Sequence, residues 1–380
     1  MYSQLSKDLT SQFSKKEKKD NGIFFTPPHF IQHNLTLLPL SEITKVLEPS
    51  CGSGEYIDAL SSFPHLQITG IEKNEKMCMS RPILNMDFLE YETCEKFDLV
   101  IGNPPYFVMK KSEVDKKYHK FFDGRPNIFI LFVIKSLELV KKDGFLSFVL
   151  PANFLNSLSY EKTRKHLAQY KILHIVECKE KYIETQQDTV LLIVQKTKCH
   201  DSFDLKGYTV FFTEKKRKRI AKLYENSTTL KDMGFRVKVG TVVWNQCKEI
   251  LTDDPTKTRL IYSSDIVSHA IVKKKYKDEK KKNFIDKEGL SDLTLVINRG
   301  YGKGEYVFNY CLITEENYLI ENHLISIEYA HEISREELMI LYGKIMSSFD
   351  DIRTQEFISI YFGNNAINTT ELNNILPIYL

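Results

Sequence analysis

The sequence has few cysteines and no pattern that would pair them. Seven are scattered over 380 residues, an odd number without a Cys-x-x-Cys pair. This excludes a disulfide framework and a zinc ribbon as organising features, and reduced thiols are expected. His29 and His33 have the i,i+4 spacing of a helical metal pair, but no adjacent glutamate or third ligand is evident. We therefore expect no metal site.

A long apolar run and a leader-like start are also missing. The longest apolar stretch, 128–140, carries Lys135 and Glu138, so it is too short and too charged to span a membrane. The first residues are polar, and we expect no signal peptide. These features predict a protein without a membrane partner that works in the cytoplasm, or in the cytoplasm or nucleus of a host cell if the source is viral.

Net charge is low, but positive charge is concentrated in short runs. The formal net charge is only +3, yet basic residues cluster at 15–19, 214–219 and 273–282. Such runs can neutralise the phosphates of a polyanion. The alternative for each run is a solvated, lysine-rich surface.

The pattern of apolar segments predicts two domains. From 45 to 195, short apolar strands alternate with helices, which is typical of an α/β fold with a doubly wound, mostly parallel sheet. From about residue 240 the segments become short and β-rich, which indicates a second, smaller α+β domain. We expect a polar arm or a frayed helix at 1–22, a first domain at 23–213, a basic linker at 214–229 and a second domain at 230–380.

The most informative segment is Asn103-Pro104-Pro105-Tyr106, which follows the apolar run 97–102. The Asn103 side-chain carbonyl can accept a hydrogen bond from an amino group, and Pro104, which has no N–H, offers a carbonyl in a fixed direction. Two acceptors would hold one amino group and leave its lone pair free, while Tyr106 offers a face to a flat ring. The segment predicts methylation of an exocyclic amino group on a planar substrate. The alternative is an ordinary Asn-Pro turn.

A glycine-rich turn lies upstream, between a predicted strand and helix, where ligands bind in doubly wound sheets. The turn consists of Glu48, Pro49, Ser50, Cys51, Gly52, Ser53 and Gly54. It lacks the Gly-x-Gly-x-x-Gly form of dinucleotide sites. Glu72 ends the next strand, where a carboxylate would accept bonds from two ribose hydroxyls. A ligand with an adenosine and an amino-acid tail, namely S-adenosylmethionine, fits better. Asp87 could accept from its adenine amino group and Phe88 could pack on the ring, or both could be ordinary strand-end residues.

In this order the motifs resemble those of the S-adenosylmethionine-dependent N6-adenine DNA methyltransferases of restriction-modification systems, specifically the gamma group with a C-terminal target-recognition domain. The resemblance covers residues 20–200 and includes Phe24-Phe25-Thr26-Pro27-Pro28 ahead of the glycine-rich turn. It is looser over 230–380, where Asn298-Arg299-Gly300-Tyr301-Gly302 and Glu321-Asn322-His323 look like segments of such recognition domains.

The resemblance implies roles for the matching positions. The cofactor would be held by Thr26, Glu48 and the Ser50–Gly54 turn around its methionine part, by Glu72 at the ribose, and by Asp87 and Phe88 at the adenine. Asn103 and the Pro104 carbonyl would grip N6 of an adenine flipped out of the duplex, and Tyr106 would stack on it. Tyr182 is the candidate for a second stacking ring, although it could be a half-buried aromatic. Asn298, Arg299 and Lys303 are candidates for contacts with DNA.

The resemblance also implies the partners and leaves alternatives open. Double-stranded DNA with a short recognition sequence is the expected substrate, the expected state is a monomer, and a separately encoded restriction endonuclease is compatible with the sequence. RNA adenine and protein glutamine are alternative targets, the latter opposed by the long segment after the catalytic domain. A non-catalytic DNA-binding protein is a third alternative, opposed by Gly52, Gly54, Glu72 and Asn103.

Overall fold

The chain divides into two compact units, Met1–Thr213 and Glu214–Leu380. The structure is a computed structural model that describes residues 4–14, 16–18, 22–78, 83–178, 188–199, 204–300, 308–362 and 367–380. Within these ranges, no helix combines the length and the apolar character needed to cross a membrane.

The first unit is built on a seven-stranded sheet with the order β3-β2-β1-β4-β5-β7-β6. Its strands are β1 Lys45–Glu48, β2 Gln67–Glu72, β3 Ile83–Asn85, β4 Phe97–Gly102, β5 Val140–Pro151, β6 Tyr170–Cys178 and β7 Thr189–Lys198. Strands β1 to β5 pair in parallel, whereas β7 is antiparallel to both β5 and β6. The sheet confirms the predicted doubly wound, mostly parallel α/β class.

Helices and two apolar cores cover the sheet. The helices of the first unit are α1 Gln4–Gln12, α2 Pro28–Thr36, α3 Glu55–Leu60, α4 Glu75–Cys78, α5 Ile128–Leu139 and α6 Glu161–Leu167, and a small hairpin joins β8 Asp204–Leu205 to β9 Tyr208–Thr209. Successive strand residues point to opposite faces, so Leu47 and Val100 enter one core while Val46 and Leu99 enter the other. The strand order reverses between β1 and β4, and this switch point is where such sheets bind ligands.

The structure revises two local expectations for the first unit. Segment 1–22, expected as a polar arm or a frayed helix, contains helix α1, whose Leu9 is buried against Phe25 and Met77. Phe88 does not lie at a strand end, because β3 stops earlier and Phe88–Glu90 forms a short 3-10 helix. The Asp87 side chain caps that turn by accepting from Leu89 N at 2.8 Å.

The second unit is an α+β structure, as predicted. One four-stranded sheet has the order β10-β19-β16-β17 and another has the order β11-β15-β12-β18. The strands are β10 Phe235–Val239, β11 Leu251–Thr252, β12 Thr258–Ile261, β13 Ile266–Val267, β14 Ala270–Ile271, β15 Phe284–Ile285, β16 Thr294–Asn298, β17 Tyr310–Ile313, β18 Tyr318–Ile320 and β19 Leu324–Tyr329. The helices are α7 Glu214–Leu223, α8 Arg335–Asp350, α9 Ile352–Tyr361 and α10 Thr369–Asn374.

The basic segment 214–229, expected as a linker, is instead an integral part of the second unit. Helix α7 occupies its first half and buries Ile220 and Leu223. Arg219 forms a two-bond ion pair with Glu356 on α9. Only two apolar side chains of α7 are buried, and most of its other residues are basic. The segment therefore resembles a linker when only its sequence is considered.

Candidate cofactor and target-base site

The glycine-rich turn connects β1 to α3 and has an unusual backbone. Gly52 and Gly54 have φ values of +52° and +77°, in the left-handed region that side chains disfavour. Gly52 N donates to Glu72 Oε2 at 2.8 Å, and Gly54 occupies the N-cap of α3. Cys51 is buried, and burial raises the pKa of its thiol well above the ordinary range. The cysteine is therefore a neutral packing group that shapes the turn.

Glu72, at the carboxyl end of β2, is aimed by two backbone donors. Its carboxylate accepts from Gly52 N and Asn74 N, both at 2.8 Å. Burial raises the pKa of Glu72 above the usual 4.5, and the N–H bonds from Asn74, Gly52 and Lys73 oppose that rise. The result is a partly desolvated carboxylate with a fixed orientation beside the turn.

Two adjoining cavities lie over the carboxyl ends of β1, β2 and β4. The larger, of about 300 Å³, is lined by Gly22, Ile23, Phe24, Phe25, Pro49, Ser50, Gly52, Glu72, Lys73, Asn74, Met77, Asp87, Phe88, Asn103, Pro105, Phe107, Ile128 and Phe132. The smaller, of about 30 Å³, shares Phe24, Phe25, Ser50, Gly52 and Asn103 with it and adds Thr26, Glu48, Cys51, Ser53, Glu55 and Tyr56. Every residue expected to hold the cofactor lines one of the two cavities, except Gly54.

One end of the larger cavity is aromatic and rigid. The Phe88 ring packs on Phe132 with centroids 5.0 Å apart. Lys135, on α5, lies over the Phe88 ring at 5.2 Å and donates to Leu89 O at 2.8 Å. Asp87, beside Phe88, pairs with Lys73 at 2.8 Å. A flat apolar ring would fit this end, with a carboxylate at its edge.

Asn103 follows β4 and has a fixed side-chain amide. Its Nδ2 donates to Phe24 O and to Thr26 Oγ1, both at 3.1 Å. These bonds set the amide orientation and leave Oδ1 on the opposite side of the amide group. Ser50 Oγ donates to the Asn103 backbone carbonyl at 3.2 Å, and Pro104 is buried directly after it. The amide therefore presents an acceptor whose direction is determined by residues 24–26.

Tyr106 is less open than the sequence suggested. Its ring is only 8% exposed, because Phe24 stacks on it at 6.0 Å and 25°, and Phe129 packs edge-on at 6.1 Å. The Tyr106 hydroxyl lies within hydrogen-bonding distance of Val149 O, at 2.7 Å, and of Asn103 Oδ1. Phe24 was not predicted as a covering ring, and the only signal for it was the aromatic pair before Thr26.

The remaining sequence candidates are not all described by the structure. Asn298 ends β16, where its Oδ1 accepts from Asn309 N at 2.7 Å, and Arg299 N donates to His323 O at 2.9 Å. Tyr182 and Lys303 lie outside the described residues. Within the described ranges, no group of three or more His, Cys, Asp or Glu side chains could hold a metal ion.

The fold and the site define the class of the protein. A Rossmann-like sheet of this order, with a glycine-rich turn, an acidic residue and Asn-Pro-Pro-Tyr at the ends of β1, β2 and β4, is that of a methyltransferase. Residues 53–183 match the Eco57I restriction-modification methylase family. The resemblance to restriction-modification methyltransferases is thereby confirmed.

Curated relatives extend this similarity over the whole chain. The type II methyltransferase M.CvrRI of Paramecium bursaria Chlorella virus XZ-6E is 27% identical over 100% of this chain and 99% of its own length. The modification methylase CviBIII of Paramecium bursaria Chlorella virus NC1A is 27% identical over 98% of both chains. The type II methyltransferase M.HincII of Haemophilus influenzae is 30% identical, but over 40% of this chain and 32% of its own. The two viral relatives therefore also match the second unit.

Proposed function

We propose that this chain transfers a methyl group from S-adenosylmethionine to N6 of an adenine within a short sequence of double-stranded DNA. The observation that carries the proposal is the oriented Asn103 amide at the cavity wall, whose Nδ2 is held by Phe24 and Thr26. An acceptor oriented in this way suits an exocyclic amino group. Similarity to type II methyltransferases along the whole chain supports DNA as the substrate. Protection from a separately encoded restriction endonuclease would be the biological consequence.

The walls of the two cavities fit S-adenosylmethionine. Phe88 and Phe132 suit the flat adenine ring, and the Glu72 carboxylate suits the two hydroxyls of a ribose. The smaller cavity adds the hydroxyls of Thr26 and Ser53, which suit an amino-acid tail. When bound, the cofactor supplies an electrophilic methyl group on a sulfonium centre.

The target amino group would be held by two acceptors. Asn103 Oδ1 and the Pro104 carbonyl would accept its two N–H bonds, draw them out of the ring plane and localise the lone pair on nitrogen. The single hydroxyl hydrogen of Tyr106 can serve only one acceptor at a time. Donation to Val149 O, at 2.7 Å, leaves Asn103 Oδ1 available to the substrate. Because positioning accounts for most of the acceleration in such a site, no strong general base is required, and the methylated nitrogen can release its extra proton to solvent.

The base would have to enter the site from a flipped-out position. Inside a duplex the amino group is paired and unreachable, and extrusion costs about a few kcal/mol in lost stacking and pairing. Stacking on Tyr106 would recover part of this cost. Phe24 now lies against the Tyr106 ring, so the proposal requires Phe24 to shift when the base enters.

The test is an Asn103→Ala variant assayed on methylation-free genomic DNA with added S-adenosylmethionine. We expect turnover to fall on the order of 10²-fold, as when one oriented hydrogen-bonding group is removed from other active sites. Cofactor affinity, measured by calorimetry, should stay within a few-fold. Asn103→Asp is the matched control: it keeps the acceptor but loses the donor to Phe24 O, so its turnover should be intermediate.

Single-molecule sequencing of the product DNA distinguishes the remaining alternatives. One short sequence carrying N6-methyladenine is the expected result. Full turnover by Asn103→Ala would refute the role of Asn103. Intact cofactor binding without any modified base in DNA would refute the DNA substrate and favour RNA adenine or protein glutamine.

A further inference from the structure

The second unit holds one of its own lysines inside a cage of aromatic rings. The Lys281 ammonium lies 3.9 Å from the ring centroid of Tyr262, 4.4 Å from that of Tyr276 and 5.8 Å from that of Trp244. Ring faces attract a cation, and partial desolvation strengthens that attraction. The rings are themselves fixed, since the Tyr276 hydroxyl donates to Asp265 Oδ1 at 2.6 Å and Tyr262 is fully buried. The cage therefore holds Lys281 in one place.

The caged lysine belongs to a loop that is closed by hydrogen bonds. Asn283 Nδ2 donates to Lys274 O at 2.9 Å, which ties the two ends of the loop together. Arg259 Nη1 donates to Asn283 O at 2.9 Å, and the Tyr262 hydroxyl donates to Lys282 O at 2.8 Å. With Lys281 held in the cage, loop 273–282 has a defined shape despite its polar sequence.

This loop presents unpaired positive charge. It contains seven lysines and two acidic residues. Lys282 pairs with Asp253 at 2.7 Å, but Lys275, Lys277 and Lys280 are exposed, and none has an acidic partner in the part of the chain that the structure describes. The basic run on α7 is neutralised in part, because Lys218 pairs with Glu214 at 2.6 Å and Arg219 pairs with Glu356, while Lys215 and Lys222 are exposed. Of these two basic runs, the one at 273–282 offers the denser group of exposed lysines to an external anion.

We propose that loop 273–282, held in shape by the caged Lys281, binds the phosphates of duplex DNA through Lys275, Lys277 and Lys280. The identity of the polyanion rests on the proposed function. A preformed loop loses less conformational freedom on binding than a flexible one, so each bound phosphate contributes more to affinity. Phosphate contacts position a protein on the duplex without reading its sequence. The loop should therefore strengthen binding to cognate and non-cognate DNA alike.

The first experiment measures how the DNA-binding constant of the full chain depends on salt. Each phosphate that the protein no longer neutralises should reduce the slope of log K against log salt by about 0.9. For Lys275→Gln/Lys277→Gln/Lys280→Gln we expect a slope that is smaller by up to about 2.7. The matched control, Lys215→Gln/Lys218→Gln/Lys222→Gln on α7, removes the same charge and should keep the wild-type slope. Equal slopes for the two triple variants would overturn the proposal.

A second experiment tests the cage itself. Trp244 is the only tryptophan, so its fluorescence reports on the surroundings of this one ring, where Lys281 lies at 5.8 Å and Lys248 at 5.4 Å from the centroid. Lys281→Met keeps the aliphatic stem but removes the cation, and we expect a changed emission together with weaker DNA binding. Lys281→Arg keeps a cation and should keep both properties. Unchanged emission and affinity in Lys281→Met would refute the role of the cage.

The outcome for the loop is separable from that for the proposed function. DNA binding is measured without methyl transfer, and methylation of genomic DNA is measured with the same variants. Methylation with an unchanged salt slope in the triple lysine variant would refute the loop alone. A reduced slope without any methylated base would support the loop as a DNA-binding surface and refute the proposed reaction.

Discussion

Arg164 offers a test of how the first unit supports the candidate target-base site. Its side chain is completely buried and donates to Thr209 O at 2.6 Å, Phe154 O at 2.8 Å, Ser157 O at 2.7 Å and Asn156 O at 3.2 Å. The bonds to Phe154 and Asn156 are fully buried, and the other two are partly buried. The guanidinium thus binds three carbonyls of segment 154–157, which follows β5.

Replacing Arg164 by methionine keeps much of the length of the side chain and removes every donor. Each fully buried carbonyl left without a partner costs about 1–3 kcal/mol, and the partly buried ones cost less because water can reach them. Removing the desolvated charge recovers part of this loss. We therefore expect the unfolding free energy to fall by about 3 kcal/mol. At about 2–4 °C per kcal/mol for a unit of this size, the melting temperature should drop by roughly 6–12 °C.

The same substitution should also affect the candidate target-base site. Phe154 packs on Phe129 with centroids 5.7 Å apart, and Phe129 packs edge-on against Tyr106 at 6.1 Å. At a temperature where Arg164→Met is folded, we expect kcat to fall while cofactor affinity is kept. Differential scanning fluorimetry and a methyl-transfer assay check the two effects. Arg164→Lys, which keeps a cation but not the four bonds, should lie between wild type and Arg164→Met. A drop in melting temperature of less than about 2 °C corresponds to a loss of less than about 1 kcal/mol and would refute the reasoning.

Two further predictions concern the site directly. Gly22 has φ +63°, and a Cβ there would lie 2.5 Å from Tyr106 N and 2.9 Å from Pro105 Cβ. Gly22→Ala should therefore displace segment 103–106, which is proposed to hold the target base, and lower turnover on the order of 10²-fold. Gly124→Ala, with φ +68° and nothing within 4 Å, carries the same backbone strain without the clash and should stay active; equal activities would contradict this account. Because burial raises the pKa of Glu72 above 4.5, cofactor affinity should begin to fall at a higher pH than an ordinary glutamate would give. Calorimetry from about pH 8 to 5 would show this loss in wild type but not in Glu72→Gln, and a flat wild-type profile would refute it.

Most of the α/β framework could be predicted from the sequence, because local pattern and tertiary structure agree there. Apolar runs at 45–48, 67–72 and 97–102 are strands with those bounds. The carboxyl ends of parallel strands meet at one edge, so the residues after these runs were expected to lie together. The structure brings Gly52, Glu72 and Asn103 to one cavity, as this geometry requires.

Features that depend on contacts distant in sequence could not be predicted. Helix α1 looks polar because its burial rests on Leu9 and on the Ser6 hydroxyl, which lies 2.9 Å from Ser53 Oγ. Asp87 resembles a strand-end residue, yet its side chain caps a turn and pairs with Lys73. In each case the structure depends on a side chain whose partner is distant in sequence, and the periodic pattern of apolar residues carries no information about such a partner.

The contacts between distant segments also link the two halves of the candidate site. Asn103, expected to hold the target base, is oriented by Phe24 and Thr26, and Thr26 lines the cavity proposed for the cofactor tail. Ser50, in the glycine-rich turn, donates to the Asn103 carbonyl at 3.2 Å. Because groups that share hydrogen-bond partners do not behave additively, substitutions at Thr26 and Asn103 should interact energetically. If the proposed function holds, cofactor binding and base positioning depend on one connected set of residues, and a change in either half should be measurable in the other.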